Sequence, residues 1–190
     1  MSTLVANISH FITLSSKEKE VIEKAFYPKS LRKGEIWIKE GNICEDVAFI
    51  VSGKLRSYYI NESGEEVTCF FMQPENFISS FTSFLTNTPT HENIAALEET
   101  ELKIISKKDL ERISELIPQL QIFRRIIAEN LFIIMEKRIS MLQSQTAYER
   151  YENMLKENQD IIMSVPLQYT ASFLGISPQH FSRIRKEILK

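Results

Sequence analysis

Cysteines and long apolar runs are scarce in this 190-residue sequence. Two cysteines are too few for a disulfide scaffold or for the four thiolate ligands of an iron–sulfur cluster, and reduced thiols suit a cytoplasmic protein. No uninterrupted apolar run is long enough to cross a bilayer, so we expect no membrane partner. The N-terminal segment has neither a positively charged start nor a cleavage site, so no signal peptide is predicted.

The sequence also lacks the residue patterns of enzymes and metal sites. Its three aspartates and three histidines are scattered over different predicted elements. It contains no glycine-rich phosphate loop, no nucleophile elbow and no His, Cys and Asp set at metal-ligand spacing. We therefore expect a protein that is not an enzyme, with no catalytic residues, no metal and no cofactor.

Glycine is scarce too, and its placement predicts the fold of the central region. Four of the five glycines separate short runs rich in Val, Ile, Phe and Tyr, and none lies inside a predicted element. Short strands at near-regular spacing with turn signals predict a rolled antiparallel sheet. The predicted strands are 27–31, 35–39, 47–51, 54–60, 66–72, 93–97 and 102–105.

Helical patterns flank the predicted sheet on both sides. Residues 1–25 are predicted to be helical, with Ser15 or Ser16 as an N-cap and glutamates in the early turns. An amphipathic helix stops before Pro118, and a long helix then covers 118–143. The predicted fold class is therefore α+β.

The long helix carries an apolar seam at alternating spacings of three and four residues. A seam of about three heptads with a polar residue in register is typical of helices that pair between subunits. A core helix lying across its own sheet is the alternative. We expect a homodimer whose interface includes Leu120, Phe123, Ile127, Asn130, Ile134, Lys137 and Met141.

The last thirty residues predict two short helices joined by a tight turn. A proline at 166 opens the first helix and Gly175 ends it. Ser177 and Pro178 then suit the start of a second helix that we expect to run to about residue 189. This is the pattern of a helix-turn-helix, although an ordinary helical hairpin is the alternative.

The second of these helices separates an apolar side from a polar one. Phe181, Ile184 and Ile188 form one stripe. Residues 161–190 contain four basic residues and one glutamate, a net charge of +3, whereas the whole chain has a net charge of −2. Basic residues gathered at one end of a slightly acidic chain indicate a localised anionic partner.

The order of these parts resembles the Crp/Fnr family of bacterial transcription regulators. The residues that carry the resemblance are LRKGEIWIKEGN (31–42), AFIVSGKLRSYYINESGEE (48–66) and LGISPQHFSRIRKEI (174–188). The resemblance implies a cyclic-nucleotide-binding-like antiparallel β-roll (a double-stranded β-helix, jelly-roll-like) with flanking helices over 1–145, including a dimerisation helix over 118–143. It further implies a helix-turn-helix DNA-binding domain over 146–190.

The segment that would bind a cyclic nucleotide departs from the family pattern. Family members that bind these ligands carry Gly-Glu on a short helix and an arginine several residues later. Ile78 and Ser79 stand at the first two positions, and Thr90 or His91 at the third. Because a buried phosphate needs a cation, we predict that neither cyclic AMP nor cyclic GMP is a ligand. Ser79, Ser80, Thr82, Thr90 and His91 are candidates for lining another small-molecule pocket, and solvated loop is the alternative.

The resemblance also assigns DNA contacts. The base-reading positions fall on Pro178, Gln179 and Arg183; an arginine can pair with guanine and a glutamine with adenine. The sequence ends at Lys190, so we expect no full wing after the second helix. The expected DNA-binding residues are Gln168, Ser177, Gln179, His180, Ser182, Arg183 and Lys186.

Double-stranded DNA is the partner that follows from this reading, with RNA polymerase and an unknown small-molecule effector as further candidates. The alternative function is a ligand-sensing or partner-binding module with weak or lost DNA binding, which the proline at 178 and the missing wing motivate.

Overall fold

The computed structural model describes residues 2–157 and 159–188, and it confirms the predicted α+β class. The strands are β1 Tyr27–Leu31, β2 Ile36–Ile38, β3 Asp46–Ser52, β4 Leu55–Ile60, β5 Glu66–Met72, β6 Phe77–Ile78, β7 Asn93–Ala96 and β8 Thr100–Ser106. The helices are α1 Thr3–Phe11, α2 Ser16–Ala25, α3 Phe81–Thr86, α4 Lys107–Leu116, α5 Gln119–Ser144, α6 Ala147–Glu157, α7 Gln159–Ser164, α8 Leu167–Phe173 and α9 Pro178–Ile188.

The strands form two four-stranded sheets, ordered β1-β8-β3-β6 and β2-β7-β4-β5. The pairs β1–β8, β3–β8, β3–β6 and β2–β7 are antiparallel, as the sequence predicts for a roll. All seven predicted strands form, and their bounds differ from the prediction by at most two residues. The two-residue strand β6 and the short helices α3 and α7 escaped the sequence reading because each is too short to show a period.

One strand junction requires a glycine for two separate reasons. Gly53, between β3 and β4, has φ of +86°, in the left-handed region that side chains disfavour. A Cβ at this position would also lie 2.7 Å from Thr100 Cα and 2.5 Å from the Glu99 carbonyl oxygen. The close approach fixes how the β3–β4 turn meets the start of β8.

Side chains from both sheets meet in the interior of the roll. Because strand residues alternate between faces, every second residue of a strand points inwards. The residues that point inwards are mostly aliphatic, and strands of both sheets contribute them. The buried members of this interior are Leu31, Ile38, Cys44, Ala48, Ile50, Leu55, Ile78, Ile94, Ala96, Leu102 and Ile104.

Helices cover the outer face of the first sheet. The sequence left two candidates for the N-cap of α2, and the structure selects Ser15, whose hydroxyl accepts the Glu18 amide while the Glu18 carboxylate accepts the Ser15 amide at 2.7 Å. Side chains of α1, α2, α4 and the start of α5 pack with Val47, Phe49 and Ile105 into a second core. This core determines which part of α5 is buried.

The chain divides into two compact units. The first is Met1–Ser57 with Met72–Asn130, and the second is Tyr58–Phe71 with Leu131–Lys190. The units therefore divide α5 between residues 130 and 131, whereas the sequence places the functional boundary between 145 and 146. Among the described residues, no helix combines the length and apolarity needed to span a membrane.

Candidate functional site

The helix-turn-helix has the turn that its glycine predicts. Gly175 has φ of +69°. Its amide donates to the Ser172 carbonyl at 3.0 Å, and the Ile176 amide donates to the Ala171 carbonyl at 3.1 Å. These two bonds are a Schellman motif, which ends α8 and turns the chain towards α9.

A small core beneath the turn fixes the rotation of α9. Phe181 is 1% exposed and meets the Tyr151 ring edge-on, with 4.9 Å between ring centroids. Ile184 is also buried, and Ile188 is partly buried against the same cluster. Ala171 is fully buried, as expected for a small residue where two helices cross.

The polar side of α9 therefore faces solvent. Of the predicted DNA-binding residues, only Ser182 is partly buried, and the other six are exposed. Within the described part of the chain, neither Arg183 nor Lys186 forms an ion pair, so both charges are available to an anionic partner. The Ser177 hydroxyl accepts the His180 amide at 3.2 Å and so caps the N-terminus of α9.

Two arginines that the sequence analysis missed donate hydrogen bonds to carbonyls at the C-terminal end of α8. Arg138 of α5 donates to the Phe173 carbonyl, and its guanidinium lies 3.9 Å from the Phe173 ring centroid. Arg150 of α6 donates to the Leu174 carbonyl at 2.9 Å. Burial lowers the pKa of Arg138 to about 10; Cys69 opposes this shift and Arg150 adds to it. Arg138 thus stays charged at neutral pH, where cations stabilise the C-terminal end of a helix.

The first part of the predicted seam of α5 is buried within its own unit. Leu120 is 2% exposed and Phe123 is also buried, and both belong to the core of the first unit, with Ile127 packed against it. These residues cover their own domain. Asn130 and Ile134 are exposed, and Met141 is partly buried.

A second set of apolar residues on α5 is also exposed. Phe132 is 72% exposed, and Met135, Ile139 and Leu142 are between 42% and 56% exposed. These four residues follow spacings of three, four and three, which place them on one side of the helix. We call this set the α5 stripe.

Residues 77–93, which we call the cassette segment, lie within the stretch that the resemblance matches to the nucleotide-binding segment. The buried hydroxyls of Ser80 and Thr90 bond to each other at 2.7 Å. The Ser79 hydroxyl donates to the Asp46 carbonyl at 2.8 Å, while Thr82 and His91 are exposed. The structure therefore brings Ser80 and Thr90 together, and the other three predicted pocket residues do not join them.

A lysine side chain donates hydrogen bonds to the C-terminal end of α3 in this segment. Lys107 Nζ donates to the Phe84 carbonyl at 2.7 Å and to Asn87 Oδ1 at 3.0 Å. Asn87 takes the left-handed conformation that commonly ends a helix, with φ of 57°. The ammonium group thus serves the C-terminal end of α3, where it caps carbonyl groups.

A carboxyl group lies beside the Ser80–Thr90 pair. The Thr90 hydroxyl accepts the Glu92 amide at 3.1 Å. Burial raises the pKa of the Glu92 carboxyl, and the nearby Ser80 and Ser57 hydroxyls oppose this shift. Glu92 and Ser57 were not among the predicted pocket residues.

The last arginine before the cassette segment in the sequence is Arg56. Arg56 and Ser57 are neighbours on β4, so their side chains leave the strand on opposite sides. Ser57 shares its side with Leu55, which belongs to the interior core of the roll. Arg56 is 3% exposed, and strand alternation places it on the side of β4 opposite Ser57. Hydroxyl and carboxyl groups alone do not form the cationic site that a phosphate requires. Across the described residues, no group of three or more His, Cys, Asp or Glu side chains could hold a metal ion.

The raised pKa of Glu92 predicts a pH-dependent effect of Glu92→Gln. A carboxyl whose folded pKa exceeds its unfolded pKa stabilises the fold fully only below the unfolded pKa, and this stabilisation is lost as pH rises through the folded pKa. We expect the free energy of unfolding of Glu92→Gln, relative to the unsubstituted protein, to increase from pH 4 to pH 7. Urea unfolding at both pH values measures this, with the exposed Glu111→Gln as the matched control. An equal difference at both pH values would contradict the prediction.

Comparisons with known proteins agree with this architecture. Residues 28–115 match the family of the cyclic nucleotide-binding domain. No curated protein matches the chain. FixK2 from Bradyrhizobium japonicum is 19% identical with a TM-score of 0.75, over 86% of this chain and 84% of that chain. CLP from Xanthomonas campestris, a c-di-GMP responsive global regulator, is 14% identical with a TM-score of 0.75, over 92% of each chain.

A third similar structure is a putative transcriptional regulator of the Crp/Fnr family from Eubacterium rectale. It is 17% identical with a TM-score of 0.74, over 95% of this chain and 88% of that chain. At these identities the likeness shows the fold. The neighbours are transcription regulators, not enzymes, and include Crp/Fnr-family members.

Proposed function

We propose that this protein is a sequence-specific, DNA-binding transcription regulator of the Crp/Fnr type that acts as a homodimer and does not respond to cyclic AMP. The observation that carries the proposal is the exposed polar side of α9, which bears Arg183 and Lys186 without ion-pair partners among the described residues. The buried side of the same helix fixes that surface in place. In this proposal the protein works in the cytoplasm, with RNA polymerase and a small-molecule effector as candidate partners.

The exposed residues fall into two groups, one suited to base contacts and one suited to phosphate contacts. Arg183 and Gln179 have side chains that can pair bidentately with guanine and adenine edges in the major groove. Gln168, Ser177 and Lys186 suit contacts to phosphates, which position a protein without reading sequence. Two-fold symmetry would place two copies of α9 roughly 34 Å apart, about one turn of DNA.

Selection from a random duplex library tests the proposal directly. Purified full-length protein should enrich a near-palindromic site with half-sites about one helical turn apart. The logarithm of the association constant should fall linearly with the logarithm of the salt concentration, with a slope of about −0.9 for each phosphate contact. A library that shows no enrichment would count against sequence-specific binding.

Arg183→Ala should weaken binding to the selected duplex by about 5- to 150-fold, or about 1–3 kcal/mol, because a bidentate base contact is lost. Discrimination at one base-pair position should relax at the same time. Fluorescence anisotropy with the selected duplex and single-base variants measures both effects. Arg112→Ala, which removes an exposed arginine of α4, is the matched control and should change neither. Unchanged discrimination in Arg183→Ala would refute the base-reading role.

The α5 stripe supports the homodimer and adds a set of exposed apolar residues to the exposed later part of the predicted seam. A heptad-spaced side can pair with its own copy across a two-fold axis, because each side chain then meets an equivalent one. The stripe begins beyond the part of α5 that is buried in its own domain. The second copy therefore covers Phe132, Met135, Ile139 and Leu142.

Phe132→Glu should convert the dimer to a monomer, because two carboxylates would lie at the paired interface without partners. Analytical ultracentrifugation over a concentration series measures the dimer dissociation constant. Leu116→Glu is the control, since Leu116 of α4 is 65% exposed and lies outside the stripe. A Phe132→Glu protein that dimerises like the Leu116→Glu protein would place the interface elsewhere.

The cassette segment supports the lack of a cyclic AMP response. A hydroxyl pair and a carboxyl group stand where an anionic phosphate would need an arginine. We expect no saturable heat when cyclic AMP or cyclic GMP is titrated into the protein by calorimetry. A micromolar dissociation constant for either nucleotide would overturn this part of the proposal.

One observation favours a second function, a partner-binding module with lost DNA binding. Pro178 is exposed at the first position of α9, a base-reading position where it offers no hydrogen-bond donor. Weak DNA binding that salt does not change would favour this module, because counterion release from phosphates makes true DNA binding salt-dependent.

A further inference from the structure

The hairpin formed by the end of β4 and most of β5 belongs to the same compact unit as the helix-turn-helix. Residues 58–71 cluster with residues 131–190. The strand β5 is the edge of its sheet, so one side of its backbone has no neighbouring strand. A polar group from another element is needed to satisfy that side wherever it is buried.

Ser172 of α8 supplies this group. Its hydroxyl accepts the Thr68 amide at 2.8 Å and donates to the Glu66 carbonyl at 3.1 Å. The amide of one residue and the carbonyl two positions before it point to the same side of an edge strand. One serine hydroxyl therefore pairs with β5 as the peptide group of a further strand would.

An aromatic contact strengthens the same junction. Phe71 of β5 and Phe173 of α8 have ring centroids 5.2 Å apart, at an interplanar angle of 51°. Arg138 holds Phe173 from α5 through its ring and its carbonyl. The C-terminal half of α8 is therefore docked on the hairpin through two consecutive residues.

The docked hairpin is acidic. Residues 58–71 contain three glutamates and no lysine or arginine, and Glu62, Glu65 and Glu66 are all exposed. Gln168, which is exposed and proposed to contact phosphate, precedes Ser172 by four residues and so lies on the same side of α8. The acidic hairpin thus lies along the side of α8 that would approach the DNA backbone.

We propose that this hairpin is an autoinhibitory element that competes with DNA for α8. The inference rests on the proposed DNA-binding function. Carboxylates within a Debye length of about 10 Å at 0.1 M salt repel a phosphate backbone, so the docked arrangement has the lower DNA affinity. Release of the hairpin from Ser172 and Phe173 moves the carboxylates away from this side of α8 and so removes their repulsion of the phosphate backbone.

Two variants of the full-length protein test the proposal. Ser172→Ala removes both hydrogen bonds to β5, and Glu62→Gln with Glu65→Gln removes two charges from the hairpin without touching the junction. We expect each to bind DNA about three- to tenfold more tightly at low salt, with the charge effect shrinking at high salt. Glu111→Gln with Glu115→Gln, two exposed glutamates of α4, makes the same charge change outside the hairpin and should leave the affinity nearly unchanged.

The affinity measurement uses duplexes selected from a random library by the unsubstituted protein and, separately, by each variant. A gain in affinity cannot come from misfolding, which would only reduce binding. Unchanged or weaker binding by both variants would refute autoinhibition. Weaker binding by Ser172→Ala alone, with no effect of the charge variant, would also refute it, because the hairpin would then merely position α8.

Amide hydrogen exchange at Thr68 reports on docking directly. Exchange should accelerate in Ser172→Ala, and also in the unsubstituted protein when the selected duplex is added. Persistent protection of Thr68 in the DNA complex would overturn the proposal. If the unsubstituted protein binds a duplex but the variants gain nothing, the inference alone fails. If no variant selects any duplex, the proposed function fails and the inference fails with it.

Discussion

Burial of the inner side of α9 is the interaction on which the candidate DNA surface depends. A helix that buries Phe181 and Ile184 has only one rotation available, so its opposite side, with Arg183 and Gln179, must face solvent. The buried cluster therefore does more than stabilise the last two helices. It determines which side chains a partner meets, and the unpaired charge on that side makes an anionic partner the favourable one.

The roll matches the family of the cyclic nucleotide-binding domain over residues 28–115 and has an aliphatic interior. Within it, the Ser80 and Thr90 hydroxyls bond to each other across the cassette segment. Glu92 adds a carboxyl group whose pKa is raised by burial. Shape and ligand chemistry are separable here, because main-chain pairing builds the sheets while a few side chains decide what the interior can hold.

The helix α5 shows why an apolar pattern does not identify its own partner. Apolar residues occur on several of its sides, so spacings of three and four residues can be traced through more than one set. Leu120 and Phe123 turn out to cover their own core, whereas Phe132 and Ile139 are exposed. Periodicity reports which residues share a side of a helix, and only the surrounding elements determine whether that side is already covered.

The sequence by itself determined seven of the eight strands among the described residues, the two C-terminal helices with their glycine turn, and the polar side of α9, because each follows from local residue preferences and short periods. Tertiary structure alone decided which side of α5 is free and which residues meet around Glu92. It also brought Ser172 to Thr68, a hydrogen-bonded pair separated by 104 residues. Contacts of this kind depend on where whole elements pack, and a single hydroxyl that completes an edge strand leaves no periodic trace in the sequence.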